Sequence, residues 1–208
     1  MIPIASFGRG LFVVILAGLT SACISLFPKE TPAQLYRFGA APPAAAPAPA
    51  GPRFAVLDPS VAFDREAAGD AILTVTGDQA AYIKGARWVS SASTLFESAL
   101  ENAFFADGGP ARLMARGEVG HADYALHLDV REFDARYDHG SDAAPEIVVR
   151  VHAGLTRLEG RSLAGERIFE ARIAASDNRA GAIAQAFDQA VGKVLGELVA
   201  WVDAGGAG

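Results

Sequence analysis

From Asp123 onward the chain passes through three segments in which apolar and polar residues keep a period of two. In the first, Tyr124, Leu126, Leu128 and Val130 share one parity, against Asp123, His127, Asp129 and Arg131 on the other. The second places Ile147, Val149, Val151, Ala153 and Leu155 on one face, and the third sets Phe169, Ala171 and Ile173 against Glu170 and Arg172. Successive side chains of a strand point to opposite faces, so each segment reads as a half-buried strand. Three in succession predict an antiparallel meander with one wet face. The dry face needs a cover, and two amphipathic segments supply it. In residues 94–105, Leu95, Phe96, Ala99, Leu100, Ala103 and Phe104 recur at spacings of three and four, which is helical. Thr94 with Glu97 reads as a capping box, and Asp107-Gly108-Gly109-Pro110 as a stop. Residues 178–203 carry Ile183, Phe187, Ala190, Val191, Val194, Leu198 and Val202 on one side. Asp177 is the expected N-cap there, and Gly205-Gly206 the end.

Ahead of the meander, residues 53–58 read as a strand, and residues 71–76 and 80–85 as a hairpin around Gly77-Asp78. A further short strand is expected within residues 33–39, pairing back onto the sheet. These elements together give an α+β fold class: a mostly antiparallel mixed sheet with two main helices packed on one face.

The N-terminus is of another kind. Arg9 is the sole charge before Lys29, an apolar run covers residues 11–19, and Leu19, Thr20, Ser21 and Ala22 lead to Cys23, the single cysteine of the 208-residue chain. A short positive region, an apolar segment and a small-residue cleavage site make a secretory leader. The L-T-S-A-C sequence resembles a bacterial lipobox, with Thr20 where a leucine is usual; in that reading Cys23 is lipidated and its new amine acylated. An uncleaved membrane-spanning anchor and a buried thiol are the competing readings of the same stretch. Acyl chains give stable attachment once two are present, and an exported chain with its one thiol consumed has none left to oxidise. Residues 41–52, "APPAAAPAPAGP", favour extended, polyproline-like backbone and bury no core. The expected division is a signal peptide (1–22), a lipidated N-terminus with short strand and Pro/Ala linker (23–52), one α+β domain (53–203) and a flexible tail (204–208).

The formal charge is −6, and cleavage before Cys23 removes only Arg9. An acidic chain with no basic face argues against nucleic acid as partner and against a polybasic grip on anionic lipid. No P-loop and no G-x-S-x-G is present. His121 and His127 lie six residues apart, roughly 20 Å along a strand and too far to share a metal. Asp134, Asp138, His139, Ser141, Asp142 and Glu146 gather near one turn, but nothing beside them supplies oxyanion donors. Their spacing of four is also not the alternate spacing of a calcium loop. The expectation is a solvated hairpin loop, no enzyme, no metal and no cofactor. Tyr82, Arg87 and Trp88 stand out as either a core signature or a partner-docking patch. As a docking anchor, Trp88 could be replaced by alanine with the fold intact.

Read in order, these motifs resemble the ABC-type transport auxiliary lipoproteins, a family that includes PqiC-like lipoproteins working with MCE-type lipid transporters. The likeness rests on Cys23, on "LYRFG" ahead of the Pro/Ala stretch, and on Tyr82 before the Arg87-Trp88 pair. It continues in the Ala122-Asp123-Tyr124 strand start and a closing helix that reaches Trp201. The resemblance implies a non-catalytic, periplasm-facing helper that binds the MCE-domain protein, with permease and ATPase on separate chains. It transfers no catalytic residue and leaves homo-oligomerisation open. Ile24 after the cysteine, in place of an inner-membrane retention aspartate, points to the outer membrane. The alternative is another envelope lipoprotein, serving outer-membrane assembly or cell-wall synthesis.

Overall fold

The segment that opens at Tyr124 is the spine of the sheet. The computed structural model describes residues 32–39, 52–114, 117–140 and 142–206. Cys23, the Leu19–Ala22 lipobox and nearly all of the Pro/Ala stretch lie outside the described residues. In chain order the elements are β1 (Gln34–Tyr36), β2 (Phe54–Phe63), β3 (Ala71–Thr76), β4 (Gln79–Trp88), α1 (Ala92–Asp107) and β5 (Ala111–Met114). Then come β6 (Tyr124–Arg136), β7 (Glu146–Arg157), β8 (Ser162–Ala174) and α2 (Ala180–Asp203). Along one edge β6 pairs antiparallel with β7, and β7 with β8. The other edge of β6 is shared. Its first half pairs parallel with β2, which carries β5, and its last residues pair with β3, which carries β4 and then β1.

The result is the expected α+β fold with a mixed, open sheet, and its longest ladders are antiparallel. The parallel pairings of β1, β2, β3 and β5 are not written in any local period, because they join segments far apart in sequence. β5 lacks a sequence signal altogether: four residues are too few to show alternation.

Alternation in β6 holds only to Val130. Register jumps between Val130, opposite Val151, and Glu132, opposite Arg150. Arg131 is thus the extra residue of a β-bulge, and its guanidinium lies 2.9 Å from Asp129. Past the bulge the inward parity switches from even to odd, so Phe133 and Ala135 join Leu126, Leu128 and Val130 in the core. Phe133 becomes the centre of an aromatic cluster, with ring centroids 4.8 Å from Phe187 and 5.3 Å from both Phe38 and Phe63.

Both helices cover the dry face. Every residue expected on the buried side of α2 is buried, each large aliphatic or aromatic contributing about 1.5–3 kcal/mol. The caps differ from expectation. Ser91, not Thr94, caps α1: its Oγ accepts the Thr94 N–H at 3.2 Å, so the helix starts three residues earlier than the Thr94 reading. Asp177 does not cap α2; it pairs with Arg179, and the N-cap residue Arg179 makes no side-chain cap bond. At the other end, Gly205 and Gly206 at φ +67 and +81 donate back to Val202 and Trp201. The turn they form packs on β8, where a Cβ at Gly165 would lie 2.2 Å from the Gly206 carbonyl oxygen.

Candidate functional site

Most of the residues that stood out in the sequence turn out to hold the fold. Trp88 is 2% exposed, edge-on to Phe38 at 5.0 Å and Phe187 at 5.3 Å. Of its two readings the core one applies, and the expectation that alanine there spares the fold is overturned. Tyr82 is 53% exposed and its hydroxyl donates to the Glu66 carbonyl. Six residues apart on a regular strand, Tyr82 and Trp88 would share a face. Gly85, at φ +73 in the irregular middle of β4, separates them. Arg87 makes an exposed 2.8 Å ion pair with Asp70, a contact of little net stability. Asp123 is structural too: its carboxylate accepts the Ala55 N–H at 2.7 Å while its own N–H donates to the Ala55 carbonyl, fixing the start of the β2–β6 ladder. Trp201 is buried beside Phe169.

The acidic run around residue 140 does not form one loop. Asp134 belongs to β6 and is 5% exposed, while Glu146 opens β7; Asp138, His139 and Asp142 are exposed between them. Ser141 lies outside the described residues. On the wet face of the sheet the acids alternate with arginines in a continuous ladder. Arg136 bonds Asp134 and Glu132, Arg150 bonds Glu132 and Glu170, and Arg172 bonds Glu170 and Glu146. The Arg172 and Arg150 guanidinium bonds hold Glu170 below the usual carboxylate range. Burial pushes Asp134 upward against the opposing pull of Arg136. Across three strands this is cross-strand pairing. His121, His127 and His139 are exposed, and His152 sits 2.5 Å from Glu166. Among the described residues no group of three metal-ligating side chains converges.

What remains is a groove of about 880 Å³ between α1 and α2. Its lining mixes small or apolar residues, among them Ala99, Ala103, Val191, Leu195 and Val199, with the polar Asn102, Asp107, Gln185 and Asp188. Leu35, Arg37 and Gly39 close one end. That end is built by the segment after β1, which is clamped between the helices. Phe38 inserts into the aromatic cluster, the Gly39 N–H donates to Asp188 at 2.7 Å, and the Gly39 carbonyl accepts from Asn102 at 3.2 Å. Only glycine fits: φ is +64, and a Cβ would meet that of Ala99 at 2.3 Å. At the far end Asp107 meets Asp203, whose other oxygen accepts the Ala111 N–H at 2.9 Å. Burial, with the hydrogen bond and charge of Asp107, raises Asp203 to about 6 against the pull of the Ala111 N–H. No period in the sequence marks this groove, since it lies along the seam where two helices far apart in the chain meet. No described helix is long and apolar enough to cross a membrane.

A protein from Xanthomonas campestris of the family DUF330 has the same fold, with a TM-score of 0.70 at 25% identity over 83% of this chain and 96% of that one. The hypothetical protein CT253 from Chlamydia trachomatis shares the architecture at 10% identity, with a TM-score of 0.50 over 73% of this chain and 96% of that one. No curated protein matches the chain. The family model described as the ABC-type transport auxiliary lipoprotein component matches residues 36–199. That span runs from the end of the clamped N-terminal strand through buried Trp88 to the last turns of α2, and the chain belongs to the ABC-type transport auxiliary lipoprotein family.

Proposed function

We propose that the protein is a periplasm-facing lipoprotein, anchored through acylated Cys23 to the outer membrane, that assists an MCE-type ABC transporter moving lipids between envelope membranes without catalysing a reaction itself. The observation that carries this reading is the family match across residues 36–199. The lipobox residues Leu19–Ala22 before Cys23 support the anchor, and Ile24 supports the outer-membrane destination. The MCE-domain protein is the partner that the resemblance of the motifs suggests. Confinement to a membrane surface raises the effective concentration of the domain near partners held there.

The experiment is affinity purification of the full chain from solubilised envelopes, wild type beside Cys23→Ser. The wild-type chain is expected to bring down an MCE-domain protein with its permease and ATPase and to carry palmitate label at Cys23. The serine variant is expected to lose both the label and the outer-membrane fraction. Recovery of outer-membrane assembly or cell-wall synthesis proteins in place of the transporter, or an unmodified thiol in the wild type, refutes the proposal.

A further inference from the structure

An open sheet leaves strand edges, and the edges here are unequal. Among the described residues the outermost strands are β1, of three residues, β5, of four, and β8, of thirteen. β8 pairs with β7 on one side and with no described strand on the other. An unpaired strand side offers a row of backbone donors and acceptors, and proteins usually blunt it with proline, lysine, a bulge or a cover. β8 contains no proline and no lysine. Its bulge falls at Ala164, since Gly165 lies opposite Leu155 and Leu163 opposite Thr156, which leaves residues 165–174 regular. In the middle of that stretch Ile168 is 54% exposed.

The side chains of this edge complement themselves. Glu166, Ile168, Glu170 and Arg172 share the wet face of β8, while Phe169 and Ala171 are buried on the other. Two copies of β8 run antiparallel about a two-fold axis at Phe169 set Glu166 of each copy opposite Arg172 of the other. Ile168 then lies opposite Glu170, and Arg167 opposite the small Ala171. Both members of the new ion pair have an atom to spare. Arg172 bonds Glu170 through Nε and Glu146 through Nη1, and Glu166 meets His152 through Oε1. Nη2 of one copy and Oε2 of the other are left to meet. The two Ile168 side chains become diagonal neighbours, about 7–8 Å apart. Sliding the copies by one pair in either direction brings Glu170 opposite Glu166 or opposite itself, and like charges directly opposite are destabilising. Arg167 does not obstruct the approach, because its guanidinium lies over its own Phe169 ring, 5.1 Å from the centroid. α2 packs on both β7 and β8. With strands about 4.8 Å apart, two copies of α2 come to lie roughly 10 Å apart, an ordinary spacing for packed helices.

We infer that a second copy of the chain adds to the β8 edge, antiparallel about a two-fold axis at Phe169, so that one sheet runs through both protomers. The same patch serves both sides of such an interface, and the charged ladder of the wet face continues across the seam. This goes beyond the transporter reading and stands whether or not Cys23 carries lipid.

The test measures the mass of the full chain, purified in detergent, by light scattering coupled to size exclusion over a dilution series. A dimer mass is expected, with slowed hydrogen exchange at amides of residues 165–173. Ile168→Asp sets a second acid against Glu170 of the other copy. It is expected to give the monomer with unchanged far-ultraviolet circular dichroism, because Ile168 is exposed in each protomer. Glu166→Arg and Arg172→Glu should each weaken the dimer about tenfold, through like charge at both symmetry-related pairs. The two together should restore it. A monomeric wild type overturns the inference. A mass of dimer or larger upholds it where Ile168→Asp lowers that mass, and overturns it where the variant leaves the mass unchanged, since the copies then meet elsewhere. A charge-swapped double variant as weak as the single ones also overturns it, because the contact then lies outside this register.

Discussion

At residue scale, two side chains carry consequences that their neighbours do not. Asp203 holds its proton to about pH 6 in the fold, against an ordinary value of 3.8. The unfolded chain gives up that proton first, so this group's contribution to stability falls as pH rises from 3.8 toward 6 and is level above. Asp203→Asn keeps an acceptor for the Ala111 N–H and offers an amide donor to Asp107. It is expected to stabilise the protein by about 1 kcal/mol above pH 6, after discount for the solvent that screens a half-exposed group. The gap should close below pH 3.8, which chemical denaturation across that range reads directly. Trp88→Ala removes a 2% exposed ring from the Phe38–Phe133–Phe187 cluster, and a loss of about 3–5 kcal/mol is expected in the same measurement. Trp88 was legible in the sequence as notable, but its role was not. Parity along β4 equates it with Tyr82, and only the irregular stretch at Gly85 sends one inward and leaves the other wet.

At element scale, the weakest-looking strand is the one with most depending on it. β1 has three residues and two of them are exposed, so a ladder that short has little stability of its own. Its neighbours in the chain hold it: Phe38 sits in the core, and Gly39 bonds to Asp188 and Asn102. Gly39→Ala places a Cβ against Ala99 and a side chain at positive φ. A cost of about 2–4 kcal/mol is expected from the combined strain and overpacking. The loss should appear first as faster hydrogen exchange at the β1 and Gly39 amides, with β6–β8 protection retained. By contrast the three meander strands and both helices could be read from their periods alone. A half-buried strand or helix writes its environment into every second, or every third and fourth, residue.

At the scale of the whole molecule, the strands that join β6 along its forked edge place β1 and the Gly39 clamp beside the α1–α2 groove. A Cys23→Ser chain that loses its membrane is expected to keep the wild-type unfolding midpoint, because the buried cluster of Phe38 through Val202 lies within the compact unit Ala33–Gly208. On that expectation anchor and fold are separable. The charged ladder on the opposite sheet face gives the other side of the domain a solvated surface.

The amino-acid pattern alone determined the dry faces of both helices and of the regular stretches of the meander, which of the longer segments are helix or strand, and that a lipobox-like stretch precedes them, since each of these depends on neighbours within a few residues. Tertiary structure decided the rest: the parallel edge pairings, the parity switch at Arg131, the inward turn of Trp88, the clamp at Gly39, and the groove. These arise where segments distant in sequence meet, and the free energy that settles them comes from packing across that distance, to which no local period responds.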